Sequence, residues 1–416
     1  MKNKRAETIK RPNAFLYFIV YILIYPLLKI AFRLKIEYKD FEMPDGAYIM
    51  LSNHNTMLDF IMIMLSFYPH KLNAVGAQKW FLYKPLNWFL PTMGVIPKNM
   101  FDPDLRSIMN IKTVLKRGDG ILLFPEGRCS SSQVYTGMHK STGKLIQKFN
   151  VPVISCYVEG AQICVPHWRK GFRFGNVRIT YRNMFTADEA KTLSVDEIND
   201  AVDARLSGSE GALPVTKPFR TVWSKRLAEG LEKILFYCPK CSAEYMMETE
   251  GNLIRCTACG NEVTVDRESK LTPSPDSVAQ PEISLWFRDQ VRHEMSALHD
   301  DMEPFVENVK VQTPAPGSGE GTIESGSGIM RLDPKGWHFD GELFGESTSL
   351  FFPIDTLPAI SYDHNKNFQI YYNGDYFMFA PEDTRMCFKY VILTECMHWK
   401  FASKVLMTPG KNSGYV

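Results

Sequence analysis

The sequence lacks a strong charge of one sign: 48 lysines and arginines stand against 46 aspartates and glutamates, for a formal net charge of +2. A nearly neutral chain is not built for bulk binding to nucleic acid, and we expect no such partner. Its nine cysteines do not form a disulfide framework, because five of them are scattered and odd in number. This usage favours a reducing compartment. The scattered cysteines are Cys129, Cys156, Cys164, Cys387 and Cys396.

The apolar run near the amino terminus is too short for an easy bilayer crossing. Residues 14–28 would rise about 22 Å as a helix, against about 30 Å of hydrocarbon, and Pro26 disturbs its end. Tyr17, Tyr21 and Tyr25 recur every four residues, which predicts an aromatic face at a membrane interface, and basic residues flank both ends. We expect a helix that lies in or re-enters a membrane, with a single span as the alternative. A cleaved signal peptide is disfavoured, because no small-residue cleavage site follows.

A second apolar stretch is rich in aromatic residues and allows two interpretations. It is either part of the core or a surface that contacts lipid between lysines. Its large apolar residues are Trp80, Phe81, Leu82, Leu86, Trp88, Phe89 and Leu90.

Short apolar runs alternate with helical patterns over residues 46–185, which predicts an α/β layer architecture. A strand is expected to end at Asn53, followed by a helix with Thr56 as N-cap and Asp59 in its first turn. A second buried strand ends at the turn "FPEGR". Open α/β sheets place their sites past strand ends, so "NHNTMLD" and "FPEGR" are expected at one edge.

The pairing of His54 with Asp59 indicates general-base chemistry. A histidine in the loop and an aspartate in the first turn of the helix can meet, although residues five apart on one regular helix cannot. A carboxylate on one ring nitrogen fixes the tautomer and leaves the other nitrogen free to accept a proton. A capped helix beside a surface histidine is the alternative for these residues taken alone.

Two Cys-x2-Cys pairs, "CPKC" and "CTAC", are separated by fourteen residues. This spacing predicts a zinc ribbon in which four thiolates bind one structural Zn2+. The predicted ligands are Cys238, Cys241, Cys256 and Cys259.

The remaining carboxy-terminal sequence is expected to contain a linker with an amphipathic helix over residues 266–328. A strand-rich region with a hairpin turn at Asn373-Gly374 follows, and a final helix closes it. Strands followed by one helix fit a pleckstrin-homology-like barrel, and a plain small β domain is an equal alternative.

Four blocks in order over about residues 46–185 resemble those of the glycerolipid acyltransferase superfamily, in particular the 1-acylglycerol-3-phosphate acyltransferases. The blocks are "NHNTMLD", "MGVIPKN", "FPEGRCS" and "VPVIS". The resemblance implies a membrane-bound enzyme that esterifies a lysophospholipid, lysophosphatidate first, from acyl-CoA or acyl carrier protein. It implies His54 as general base and Asp59 as its orienting partner.

The resemblance also implies that Glu126 and Gly127 position the glycerol of the acceptor, and that Lys98 and Arg128 hold its phosphate. This sequence departs from the family in its third block: arginine directly follows the glycine, and Cys129 takes the next place. That shift changes where the guanidinium points. Another lysolipid or glycerol 3-phosphate is the alternative acceptor, and an inert membrane scaffold is the alternative of another class.

The expected architecture is an α/β acyltransferase domain with an N-terminal membrane helix, a small zinc ribbon and a β-rich C-terminal domain. The expected location is the cytoplasmic face of a bacterial plasma membrane. The predicted divisions are a membrane-associated helix at 1–38, the acyltransferase domain at 39–205, the ribbon at 236–265, the linker at 266–328 and the β-rich domain at 329–405.

Overall fold

The computed structural model of the chain describes residues 9–131, 133, 135–208, 218–223, 225–316 and 320–408. The first part is an α/β layer structure with a seven-stranded sheet of order β1-β7-β6-β2-β5-β3-β4, in which only the β6–β7 pair is antiparallel. The strands are β1 Lys35–Tyr38, β2 Tyr48–Ser52, β3 Leu72–Ala77, β4 Val95–Lys98, β5 Gly120–Leu123, β6 Val153–Glu159 and β7 Arg178–Phe185. The helices are α1 Ala14–Phe32, α2 Asp59–Ser66, α3 Leu86–Thr92, α4 Leu105–Lys116, α5 Ser141–Phe149, α6 Ala161–Cys164, α7 Ala187–Thr192 and α8 Val195–Leu206.

The central strand β2 is buried along its whole length, as expected for a strand covered on both faces. Successive side chains point to opposite faces, so Met50 packs into one core cluster while Ile49 and Leu51 pack into another. The predicted α/β architecture is present. β1 pairs with β7, so the sheet begins before residue 39, the predicted start of the domain.

Helix α1 is longer than the apolar run predicted, and Pro26 lies inside it instead of ending it. Its nineteen residues rise about 28 Å, so by length and composition it could cross a membrane. The prediction of an interfacial tyrosine face was wrong for Tyr17, whereas Tyr21 and Tyr25 are half-buried. Tyr17 is fully buried and donates a hydrogen bond to the carbonyl oxygen of Met64, and Tyr21 stacks on Tyr68. A period of four identifies side chains that share a face, but it does not say what covers that face.

The second part of the chain begins with a four-stranded sheet of order β11-β10-β9-β8 and continues with helix α9. A seven-stranded antiparallel sheet of order β15-β14-β13-β12-β18-β17-β16 and helix α10 follow. The elements are β8 Met247–Glu250, β9 Leu253–Cys256, β10 Glu262–Val265, β11 Leu271–Pro273, α9 Ile283–Ala297, β12 Phe305–Pro314, β13 Thr322–Asp333, β14 Gly336–Leu343, β15 Glu346–Pro353, β16 Ser361–Asp363, β17 Asn367–Tyr372, β18 Asp375–Pro381 and α10 Cys387–Phe401.

The β-rich region and its closing helix are present, but the predicted linker at 266–328 was wrong in part. The four-stranded sheet is the sheet of the ribbon, called the ribbon sheet below, and β11 extends it beyond residue 265. β12 and the start of β13 belong to the seven-stranded antiparallel sheet. β13 is rich in glycine and serine, and β12 and β14 pair with it on both sides. Residues 317–319 of the predicted linker, and residues 209–217 beyond the predicted acyltransferase domain, lie outside the described residues.

The predicted Asn373-Gly374 hairpin joins β17 to β18. Both residues have positive φ, 53° and 85°, as the tight turns that join antiparallel strands require.

The ribbon, α9 and the β-rich region share one hydrophobic core instead of forming separate modules. That cluster includes Phe236 beside the ribbon, Trp286 on α9 and Trp337 on β14. Gln290 of α9 joins them further, since its amide oxygen accepts from the backbone N–H of Phe236. The ribbon therefore contributes to the hydrophobic core of the whole C-terminal region.

Candidate active site

His54 and Asp59 meet where β2 gives way to α2. The distance between His54 Nδ1 and Asp59 Oδ2 is 3.3 Å, and the Asp59 side chain is fully buried. The prediction of Thr56 as N-cap was wrong: α2 begins at Asp59 itself, with Leu58 in the cap position. Thr56 instead donates its hydroxyl proton to Asp59 Oδ1 at 2.8 Å.

The Asp59 carboxylate is held by the loop that precedes it. The backbone N–H groups of Asn55 and Thr56 donate to Oδ2 at 2.6 and 2.8 Å. These donors stabilise negative charge on the carboxylate and fix its direction toward the imidazole.

The loop around His54 is fastened to the sheet by two asparagines that the sequence analysis did not single out. The side-chain amides of Asn53 and Asn55 both donate to the carbonyl oxygen of Val158 on β6, each at 2.9 Å. Asn53 also accepts from the N–H of Val158 at 2.8 Å. No local pattern could identify these bonds, because Val158 lies 105 and 103 positions along the chain from the two asparagines.

The imidazole of His54 lies between a ring and a thiol. Phe124 stacks on it with centroids 4.1 Å apart. The sulfur of Cys129 is 3.4 Å from Nε2 and 3.7 Å from Nδ1. Burial lowers the pKa of His54, but Cys129 and Asp59 outweigh it and hold the pKa well above its usual value.

The side chain of Glu126 is buried, and its carboxylate accepts hydrogen bonds from backbone N–H groups. Its Oε1 accepts from the backbone N–H of His54 at 2.7 Å, and its Oε2 accepts from the N–H of Thr136 at 3.2 Å. Burial raises the pKa of Glu126 to about 7, against the opposing effect of these hydrogen bonds. The structure thus gives Glu126 a role in positioning His54, and its contact with the glycerol of the acceptor stays a prediction.

Gly127 is required by the turn itself. Its φ is +75°, and a Cβ atom there would lie 2.9 Å from the ring of Phe101. Any other residue would be strained and would collide with Phe101, two residues past the second block.

The two predicted phosphate ligands have different surroundings. Lys98 ends β4, and its Nζ donates to the carbonyl oxygen of Asn99 at 3.3 Å. Burial lowers its pKa, opposed by the carboxylates of Asp104 and Asp102. Arg128 forms a nearly buried ion pair with Glu395 of α10, a contact that the sequence analysis missed. Phosphate binding by either residue stays a prediction.

The four predicted ligand cysteines come together at the start of the ribbon sheet, with their sulfur atoms all within 4.8 Å of one another. The Cys238–Cys259 and Cys241–Cys256 sulfur distances are both 3.8 Å. Four sulfurs about 2.3 Å from one zinc in a tetrahedron lie about 3.8 Å apart, so the donor set fits a metal ion of that size.

An α/β sheet that carries a base and its orienting carboxylate past the carboxyl end of a central strand defines a class of domain suited to group transfer onto a hydroxyl. Residues 33–159 match the model of the family described as Acyltransferase, so this part of the chain is an acyltransferase domain. The prediction of an acyltransferase domain is confirmed for these residues.

Among solved structures, the chain is similar to the 1-acyl-sn-glycerophosphate (LPA) acyltransferase PlsC from Thermotoga maritima. The match is 16% identical, covers 47% of this chain and 86% of that chain, and has a TM-score of 0.36.

Proposed function

We propose that this enzyme transfers a fatty-acyl group from a thioester, acyl-CoA or acyl carrier protein, to the free hydroxyl of a lysophospholipid. Lysophosphatidate is the first acceptor to test. The observation that carries the proposal is the bond between His54 Nδ1 and the buried Asp59 carboxylate, which leaves Nε2 as the proton acceptor.

In the proposed reaction, Nε2 of His54 takes the proton of the acceptor hydroxyl while its oxygen attacks the thioester carbonyl. The new C–O bond forms an oxyanion, whose collapse breaks the C–S bond. The leaving thiolate then takes the proton from the imidazolium. Such a base contributes about 10²–10⁴-fold in rate.

The test is a panel of acyl thioesters and lysolipids supplied to purified protein in mixed micelles. Ester formation with at least one lysophospholipid is the expected result. Thioester hydrolysis without ester formation on any acceptor would contradict the proposal.

Cys129 raises a second possible route, in which its sulfur carries the acyl group between donor and acceptor. The geometry favours direct transfer. A nucleophile on the axis of the Nε2–H bond would be much closer to Nε2 than to Nδ1, whereas this sulfur is nearly equidistant from both nitrogens. It therefore lies beside the ring.

Replacing Cys129 with serine is expected to preserve transfer at high pH and to shift the acidic limb of the kcat/KM profile to lower pH. A base must be neutral to act, so activity falls as the pH drops through the pKa of His54, above the usual 6.5. Cys129 contributes to raising that pKa, and its removal lowers it. Loss of transfer at all pH values, with acyl-cysteine present in wild type by mass spectrometry, would favour the covalent route.

We also propose that α1 attaches the enzyme to the cytoplasmic face of a bacterial plasma membrane. One of its faces packs on the domain, while Leu23, Leu27 and Ile30 are 61%, 61% and 71% exposed. A half-covered helix fits attachment along the membrane surface better than a span.

Replacing Leu23, Leu27 and Ile30 with serine is expected to weaken binding to anionic vesicles by about tenfold or more for each side chain that enters lipid. Co-sedimentation measures the effect. Phe344→Ser with Phe351→Ser is the control, since these rings are also exposed but lie on the β-rich region. Unchanged binding in the α1 variant would move the attachment site elsewhere, for instance to Trp88, which is 63% exposed.

We further propose that the cluster of four cysteines holds Zn2+ in a structural role, because four thiolates leave no open coordination position. The order of the seven antiparallel strands followed by α10 supports a pleckstrin-homology-like barrel for the β-rich region.

A further inference from the structure

The turn after β5 carries a largely buried cation one residue from the cysteine that contacts the proposed base. Arg128 precedes Cys129, whose sulfur contacts His54. The Arg128 side chain is only 15% exposed, and its guanidinium donates to the carbonyl oxygen of Ile360 at 3.4 Å. An arginine in this position presents a forked set of donors that fits a carboxylate or a phosphate.

The anion at that guanidinium comes from the C-terminal region of the same chain. Glu395 of α10 forms an ion pair with Arg128, and its side chain is only 5% exposed. The neighbouring Ser131 and Tyr362 hydroxyl groups are hydrogen-bonded to each other. α10 and β16 therefore form one wall of the site on the side of Arg128.

A second ion pair joins the same two parts of the chain. Lys79 Nζ lies 3.2 Å from Asp363 Oδ1 and donates to Gln369 Oε1 at 3.0 Å. The Asp363 side chain is 41% exposed, so this pair is more open to water than the first. This second ion pair also joins the α/β part to the β-rich region, but its carboxylate is not the one that pairs with Arg128.

We propose that Glu395 is a specificity-determining residue that competes with the phosphate of the acceptor for Arg128. The inference rests on the proposed function. Carboxylate and phosphomonoester oxygens need the same donors, and an incoming phosphate would meet the negative charge of Glu395 at short range. Phosphate-bearing acceptors must therefore displace Glu395, whereas acceptors without a phosphate need not.

The experiment compares kcat/KM for lysophosphatidate with kcat/KM for a monoacylglycerol of the same chain in mixed micelles. Glu395→Gln should raise this ratio about tenfold, because it removes the competing charge and keeps the shape. The double variant Arg128→Gln, Glu395→Gln should lose that gain. Asp363→Asn is the matched control, since it breaks the other ion pair across the same boundary and should leave the ratio unchanged.

An unchanged ratio in Glu395→Gln would overturn the inference, and so would an equal rise in Asp363→Asn, which would indicate general loosening of the boundary. A second measurement uses the wild-type protein, so its result does not depend on whether the variants fold. Lysophosphatidate should increase hydrogen–deuterium exchange in α10 around Glu395, and monoacylglycerol should not. Equal exchange with both lipids would also overturn it. Absence of transfer to either acceptor by wild type would instead contradict the proposed function, and the exchange measurement would then decide the inference.

Discussion

Replacing His54 with alanine is expected to reduce kcat/KM for acyl transfer about 10²–10⁴-fold, because the acceptor hydroxyl loses its base. Asp59→Asn should reduce kcat/KM by a smaller factor, because the imidazole remains and only its orienting charge is lost. Initial rates with a saturating acyl thioester measure both effects. His54→Ala loses the stacking on Phe124 and one of the four bonds to Asp59, so a cooperative thermal transition, at a lower midpoint than wild type, is the check that this variant is folded.

His70→Ala is the control for this prediction. His70 is an exposed histidine at the end of the segment that follows α2, and its removal should leave the rate unchanged. If His54→Ala retains full activity, general-base catalysis by this residue is wrong. If Asp59→Asn unfolds the protein, the four donors that surround its carboxylate matter more for the loop than for the chemistry.

Replacing Cys256 with serine is expected to remove about one zinc per chain and to unfold the ribbon sheet. Metal binding in small modules of this kind supplies folding free energy of about 10–16 kcal/mol, far more than so short a sheet can replace. Metal analysis and hydrogen exchange over β8 to β11 measure the two effects. Cys396→Ser is the control, because Cys396 is buried in α10 and outside the cluster.

The loss of structure that follows zinc removal should extend beyond the ribbon. Lys389 of α10 forms ion pairs with Glu244 at the ribbon and Glu294 on α9. Chelation should therefore increase exchange in α10 as well. Freshly purified protein without zinc would refute the metal assignment, and zinc loss without any change in α10 would refute the coupling.

The parts predicted well from the sequence depend on neighbours along the chain. His54 and Asp59 are five positions apart, each Cys-x2-Cys pair spans one tight turn, and Asn373-Gly374 is its own turn signal. The pattern of apolar and polar residues was also enough for the α/β layers.

The missed features depend on contacts between distant segments. Glu395 gives no local sign that it will meet Arg128, because their pairing follows from how the β-rich region docks on the α/β sheet. The start of α2 was misjudged within the local sequence. Thr56 has the usual chemistry of an N-cap, and its hydroxyl accepts from the backbone N–H of Leu58 while it donates to the Asp59 carboxylate. The helix nevertheless begins only at Asp59.

The hydrogen bond from Tyr17 to Met64 links α1 to α2, the helix that begins at Asp59. If α1 lies in lipid, the proposed base cannot change its height above the bilayer without breaking this contact. A lysolipid hydroxyl would then have to rise by a fixed distance to reach Nε2. The enzyme would thus select acceptors by how far the reactive hydroxyl sits from the acyl chain, in addition to the charge of the headgroup.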